Sequence, residues 1–293
     1  IMDPEAAVAA LETGEVDAGL NYMIAAVPAD MIKRLQDNPK VKVYTFPTDS
    51  FDFLALNLTK EPMSNVKFRQ ALSYSINREA IVRAVQHGLA IPGYTMLMPG
   101  SPYDNPAVNR YEYNPEKARE LLAEIGWDSK TKLIFGSPND PRRRTIAAML
   151  QQDFAAVGVN IEVQVYDFAT MMSKANDGDF DIWQLGWASG GIQYPGYTYF
   201  QMLHSTQWPP RWNFSRYSNP TVDALIDLGS TITDKQSSIA IYHKLQEIIS
   251  EELPYIILMN RLGYSAQSLR VHNFADFIGG TTYNPYEWWV DTP

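Results

Sequence analysis

Residues 51–58, FDFLALNL, are apolar at nearly every position. So short a run without a polar face reads as a strand buried on both sides, as in sheets covered by helices. A second run comes after the turn signal at Asp177 and Gly178. It comprises Phe180, Ile182, Trp183 and Leu185, and it stops at Gly186. Strands of this kind must be sandwiched by helices, and the rest of the chain supplies them in alternation. The pattern predicts an α/β fold.

The helix signals are local and specific. Asp3 before Pro4 is an N-cap with proline at the first helical position, and Gly14 ends that helix. A strand over 16–20, a helix over 30–36 and a strand from Val41 continue the rhythm. Ile1, Met2 and Asp3 lead straight into a helix, which reads as the remainder of a longer chain. Further helices are expected over 66–76, from Asn77 to the stop at Gly88, and from Asn114 to Gly126. Others are expected over 142–157, after Asp167, after Asn219 and from Asp234 to Leu253, where Pro254 blocks continuation. Residues 132–136 and 255–259 read as strands, and Val159, Ile161, Val163 and Val165 alternate as in a strand with one polar face. The Pro- and Gly-rich residues 90–107 read as an ordered loop.

Composition narrows the function. The chain has 293 residues, 45% of them hydrophobic, enough for two domains with a large core. Its net charge is −9, and its longest basic run is Arg142, Arg143 and Arg144, which argues against nucleic acid as a partner. No apolar run is long enough to span a membrane. There is no cysteine, hence no disulfide and no thiolate chemistry. His87, His204, His243 and His272 stand at no metal-ligand spacing. Asp177, Asp179 and Asp181 read as solvated caps rather than a calcium loop. Neither a nucleophile elbow nor a phosphate-cradling glycine motif is present. Neither cofactor nor metal is therefore expected, and binding is favoured over turnover. A glycoside hydrolase, the alternative from another class, would need paired carboxylates across a cleft, and Asp179 and Asp181 are too local to flank a bond.

The loop after the second buried strand has an unusual composition. Gly190 and Gly191 are adjacent, with Trp187, Tyr194, Tyr197 and Tyr199 close by. Strands of α/β sheets present ligands beyond their carboxyl ends, so this loop reads as the floor of a ligand site. The plainer reading is a surface loop that folds its rings back onto the core.

Several passages together resemble one family. They are LETGEVDAGL, then FLALNLTKEPMSNVKFRQALSYSINREAIV, NPEKARELLAEIGW, DFDIWQLGWASG and RYSNPTVDALID, in that order. In the long passage Asn57, Pro62, Val66, Arg69, Ala71, Ile76 and Arg78 sit where the family pattern places them. The chain resembles the C-terminal half of a family 5 extracellular solute-binding protein, the receptor component of ABC importers for peptides and related solutes. The resemblance implies a periplasmic-binding-protein-like (type II) architecture of two α/β lobes closing over solute. It places residues 1–57 in the first lobe, 58–255 in the second and 256–293 back in the first. It also implies ABC permease subunits as partners, a monomer, and a periplasmic or lipid-anchored location at the cell surface.

One departure bears on the ligand. Many peptide-binding members carry an aspartate a few residues after the Gly-Trp, where it pairs with the peptide amino terminus. Here residues 188–194 contain no acid, and a buried ammonium without a partner is costly. Rings and neutral hydrogen-bonding groups remain: Trp187, Ser189, Gly190, Gly191, Gln193, Tyr194, Tyr197 and Trp212, with Trp208 nearby. Such a set suits sugar faces and hydroxyls. The expectation is a short oligosaccharide as ligand, with an oligopeptide as the alternative. Trp183 and Trp127 are expected in the core.

Overall fold

The computed structural model describes residues 3–21, 29–189, 194–273 and 285–291. Helices and strands alternate along them, as expected. In chain order the elements are α1 (Pro4–Thr13), β1 (Ala18–Asn21), α2 (Ala29–Gln36), β2 (Val41–Leu56), α3 (Val66–Ser75), α4 (Arg78–Gln86) and β3 (Ala90–Pro92). Next along the chain are α5 (Pro115–Glu124), β4 (Lys132–Pro138), α6 (Pro141–Ala155), β5 (Asn160–Tyr166), α7 (Phe168–Asp177) and β6 (Ile182–Trp187). Then come α8 (Gly196–Leu203), α9 (Pro220–Thr231), α10 (Lys235–Glu252), β7 (Tyr255–Ser268), β8 (Val271–His272) and β9 (Trp289–Val290).

The caps act where the sequence places them. Asp3 accepts from the Ala6 amide, and Gly14 takes the left-handed conformation at φ 79°. Asn114, Asp167, Asn219 and Asp234 each accept an amide of the first turn after them. Asp140 does the same for α6. Among the elements that depart from the sequence reading, β3 forms inside the stretch 90–107 expected as a loop. Residues 41–56 form one strand rather than two, because Pro47 and the polar residues around it sit within the extended backbone without ending it. β6 runs on through Gly186 to Trp187, since the partner strand continues beside it. β7 extends to Ser268, well past residue 259.

The chain forms two compact units. One comprises residues 1–48, 82–91 and 261–293; the other comprises 49–81 and 92–260. In the first unit, β1 lies antiparallel on β7, with Asn21 opposite Ser265. Its core gathers Val8, Leu11, Ile32, Leu35 and Ala266.

In the second unit the strand order is β2–β6–β4–β5. β2 is antiparallel to β6, whereas β4 is parallel to both β6 and β5. The register pairs Phe51 with Trp187, Phe53 with Leu185 and Ala55 with Trp183, so one face of the sheet carries this apolar column. Helices α8, α9 and α10 contribute Tyr199, Met202, Ile226, Tyr242 and Leu245 to the same core. Gly136 of β4 is required by packing, because a Cβ there would lie 2.7 Å from the Phe180 ring.

Two arginines of the resemblance passage prove structural. Arg69 donates to the Glu252 carbonyl at the end of α10 and to the Met63 and Ser64 carbonyls. Arg78 donates to the Ile257, Ser73 and Tyr111 carbonyls, and burial pushes its pKa down to about 10. Each satisfies backbone acceptors that water does not reach.

Candidate functional site

β4, β5 and β6 are parallel, so their carboxyl ends share one edge of the sheet. Each end feeds a helix: α6 begins at Pro141, α7 at Phe168 and α8 at Gly196. Helix N-termini on one edge, with a tryptophan strand end among them, form the setting where α/β sheets hold ligands. The register explains why. Once β6 ends at Trp187, its partner β2 continues past it toward Ser50 and Asp49, and Ser189 lies beside that strand.

The residues expected to bind separate into distinct environments. Trp187 is buried, with 9% of its surface exposed, and its indole Nε1 donates to the Thr198 hydroxyl at 3.2 Å. Tyr197 and Trp212 lie against it, with ring centroids 6.3 Å and 5.7 Å away. They are 45% and 44% exposed. The exposed face of this aromatic group therefore belongs to Tyr197 and Trp212, and Trp187 supports it from beneath. Trp208 is exposed too, but its indole is tied to the Tyr217 carbonyl at 2.8 Å. Gly190, Gly191 and Gln193 lie outside the described residues.

Tyr194 faces inward. Its hydroxyl donates to the Gly229 carbonyl and receives the Tyr242 hydroxyl at 2.8 Å. Tyr103 and Tyr242 pack on it edge to face, and Tyr199 lies tilted against Tyr242. Burial raises the phenol pKa of both Tyr199 and Tyr242, so both stay neutral at any ordinary pH. This cluster pins the entry to α8 onto α9 and α10.

Ser189 meets a residue that the sequence does not single out. Its amide donates to Asp49 Oδ2 at 3.0 Å, and its hydroxyl donates to the same oxygen. The segment after β6 has no acid of its own, yet an acid stands against it, supplied by β2 from 140 residues away. On the opposite face of β2, Asp52 is buried between Arg142 and Arg143 at the start of α6. The signal for that pair was present: a charged residue inside an apolar strand needs a partner. A shallow pocket lined by Tyr94, Met96, Ile249, Leu253 and Tyr255 shares no residue with the aromatic group. Among the described residues, no set of three or more His, Cys, Asp or Glu could hold a metal ion.

The family model for the middle region of the bacterial extracellular solute-binding proteins, family 5, matches residues 1–209. The chain belongs to this family. A family 5 relative, the dipeptide-binding protein of Escherichia coli, is 27% identical over 84% of this chain and 49% of its own length. The glutathione-binding protein GsiB of Pectobacterium atrosepticum is 28% identical over 94% of this chain and 53% of its own length. The structure of HbpA2 from Haemophilus parasuis superposes with a TM-score of 0.85 at 26% identity, over 99% of this chain and 57% of that one. The chain thus spans about half the length of the curated relatives it matches. The family 5 fold expected from the sequence is the one observed, and these family 5 relatives are named for binding, with no catalysis implied.

Proposed function

We propose that the chain forms part of the solute-binding receptor of an ABC importer, and that its solutes are short peptides or peptide-like molecules with a free amine. The observation that carries the ligand class is Asp49 against Ser189. An acid beside the loop supplies the countercharge an ammonium needs in a partly dehydrated site. That removes the premise of the oligosaccharide expectation, which rested on the absence of acids from residues 188–194. The names of two relatives point the same way: a dipeptide-binding and a glutathione-binding protein. The oligosaccharide reading is accordingly set below the peptide one.

Tyr197 and Trp212 provide apolar surface for a side chain of the solute, with Trp187 behind them. In this reading the unit of residues 49–81 and 92–260 corresponds to the second lobe, and the other unit to part of the first. The receptor acts outside the cytoplasm and passes its solute to permease subunits. No described helix is long and apolar enough to cross a membrane.

Calorimetry on the native protein tests this reading. A panel of di- and tripeptides should bind, N-acetylation should weaken them at least tenfold, and neutral disaccharides should not compete. Asp49→Asn should abolish the discrimination between free and acetylated peptides while leaving the acetylated affinity unchanged. Tight binding of disaccharides, with peptides silent, would sink the proposal.

A further inference from the structure

Trp212 is nearly half exposed, yet the side chain next to it is fully enclosed: Asn213 shows no surface to solvent. Its Nδ2 shares its two hydrogens among the carbonyls of Tyr217 at 2.9 Å, His204 at 3.1 Å and Leu203 at 3.2 Å. Its Oδ1 accepts the Ser215 hydroxyl and the Tyr217 amide, both at 3.1 Å. Its own backbone amide donates to the Gln207 carbonyl at 2.7 Å. One side chain thus ties the end of α8 to both sides of the segment 204–217, which carries Trp212.

Tyr255, at the start of β7, holds the same segment from the core. Its hydroxyl donates to the Met202 carbonyl at 3.0 Å and accepts the Ser215 amide at 3.2 Å, with the Trp212 carbonyl 3.5 Å away. Burial raises its phenol pKa, so it stays a protonated donor. The Ser215 carbonyl in turn accepts the Leu58 amide at 3.1 Å.

The Trp212 ring is also held on its inner side. Its centroid lies 5.7 Å from those of Trp187 and Phe214, at interplanar angles of 70° and 87°. Phe214 meets Trp183 edge to face at 4.7 Å. Such contacts have a preferred geometry, so the tilt of Trp212 is defined from the core outward. A buried amide is costly unless its groups are paired, and when fully paired it makes one conformation unique. A ring fixed before the solute arrives has little rotamer freedom left to lose on binding, and it resists swinging aside for a solute of the wrong shape.

We propose that Asn213 and Tyr255 are positioning residues that fix the Trp212 ring, and that the fixed ring selects solutes by the size of one side chain. The proposal rests on the receptor reading above and deepens it: the preferred peptide carries a large apolar side chain that fills the space against Trp212 and Tyr197.

The test labels the full chain with fluorotryptophan and follows the fluorine NMR line of Trp212, identified by its loss in Trp212→Phe. The native line should be single and sharp. Tyr255→Phe removes only a hydroxyl and should split or broaden it, and Asn213→Ala should do so more strongly. In parallel, calorimetry compares the dipeptides Phe-Ala, Ala-Phe and Ala-Ala. The native protein should prefer one phenylalanine dipeptide over Ala-Ala by about tenfold or more, the range of a filled apolar pocket. Tyr255→Phe should reduce that preference by about threefold or more, as for a side chain that must now be ordered on binding. Asn114→Ala removes the cap of α5 and touches none of these groups. It should lower the melting temperature and leave both the line and the preference unchanged. A Trp212 line unaltered in Tyr255→Phe would overturn the proposal, as would an altered line with an unaltered preference, or equal changes in Asn114→Ala. If no peptide binds the native protein, the receptor reading fails and side-chain selection falls with it, whereas the fluorine line alone decides whether Asn213 and Tyr255 position the ring.

Discussion

Trp187 and Trp212 have ring centroids 5.7 Å apart but differ in exposure, 9% against 44%, and that difference sets what each does. Removing a buried tryptophan leaves a cavity as well as lost transfer energy, so Trp187→Ala should cost about 3–5 kcal/mol of folding stability. Trp212→Ala should lower the melting temperature little and cost about 2 kcal/mol of solute binding, as a central anchor does. Paired melts and calorimetry on the two variants check this. If Trp212→Ala unfolds the protein, or Trp187→Ala leaves its stability unchanged, the assignment of the exposed face is wrong. The sequence identified an aromatic group here because rings cluster after a strand end. It could not rank them by exposure, since that depends on α8 folding back so that Thr198 meets the Trp187 indole. The burial of Trp183, at 3% exposure, was legible because it sits mid-strand in an apolar run. Asp49 was not legible: its partner is fixed by the β2–β6 register, which no local pattern encodes.

Helices α8, α9 and α10 are held together at one point by tyrosines and by glycines that let them approach. Gly229 of α9 faces the Tyr242 ring of α10, and a Cβ there would stand 2.8 Å from the ring and its hydroxyl. Tyr242 also donates to Tyr194, which donates in turn to the Gly229 carbonyl. Gly229→Ala should therefore overpack the junction and destabilise the fold by about 1–3 kcal/mol, despite alanine's better helix propensity. Tyr194→Phe removes a hydroxyl that donates one hydrogen bond and accepts another, and should cost about 1–3 kcal/mol. Chemical denaturation of the two variants checks both; a stabilised Gly229→Ala would show that the ring can move aside. Most elements were readable because caps are local: Asp3, Asn114, Asp167, Asn219 and Asp234 each begin the helix expected of them. The lengths of β2 and β7 were not, because a strand continues as far as its neighbour pairs with it, whatever its own polarity.

At the scale of the whole chain, the two units differ in how much apolar surface encloses each. Among the described residues, the core of the second unit draws on the sheet and on α7, α8, α9 and α10, with large rings such as Phe51, Phe53, Tyr199 and Tyr242 at or near zero exposure. The core of the first unit is built largely from α1 and α2, with Val41 of β2, Leu89, and Tyr264 and Ala266 of β7. Amide exchange reports local opening in such cooperative units, and its free energy tracks the buried contacts that must break. Residues 239–252 of α10 bury Tyr242, Leu245 and Gln246, while Glu5 and Ala9 of α1 face solvent. We expect the amides in the middle of α10 and β6 to exchange at least tenfold more slowly than those of α1. Urea at low concentration should speed α1 first, because opening a small unit exposes little surface and needs little denaturant. Equal protection across α1, α10 and β6, rising together with urea, would mean that the chain opens only as a whole and that the two units share one cooperative core.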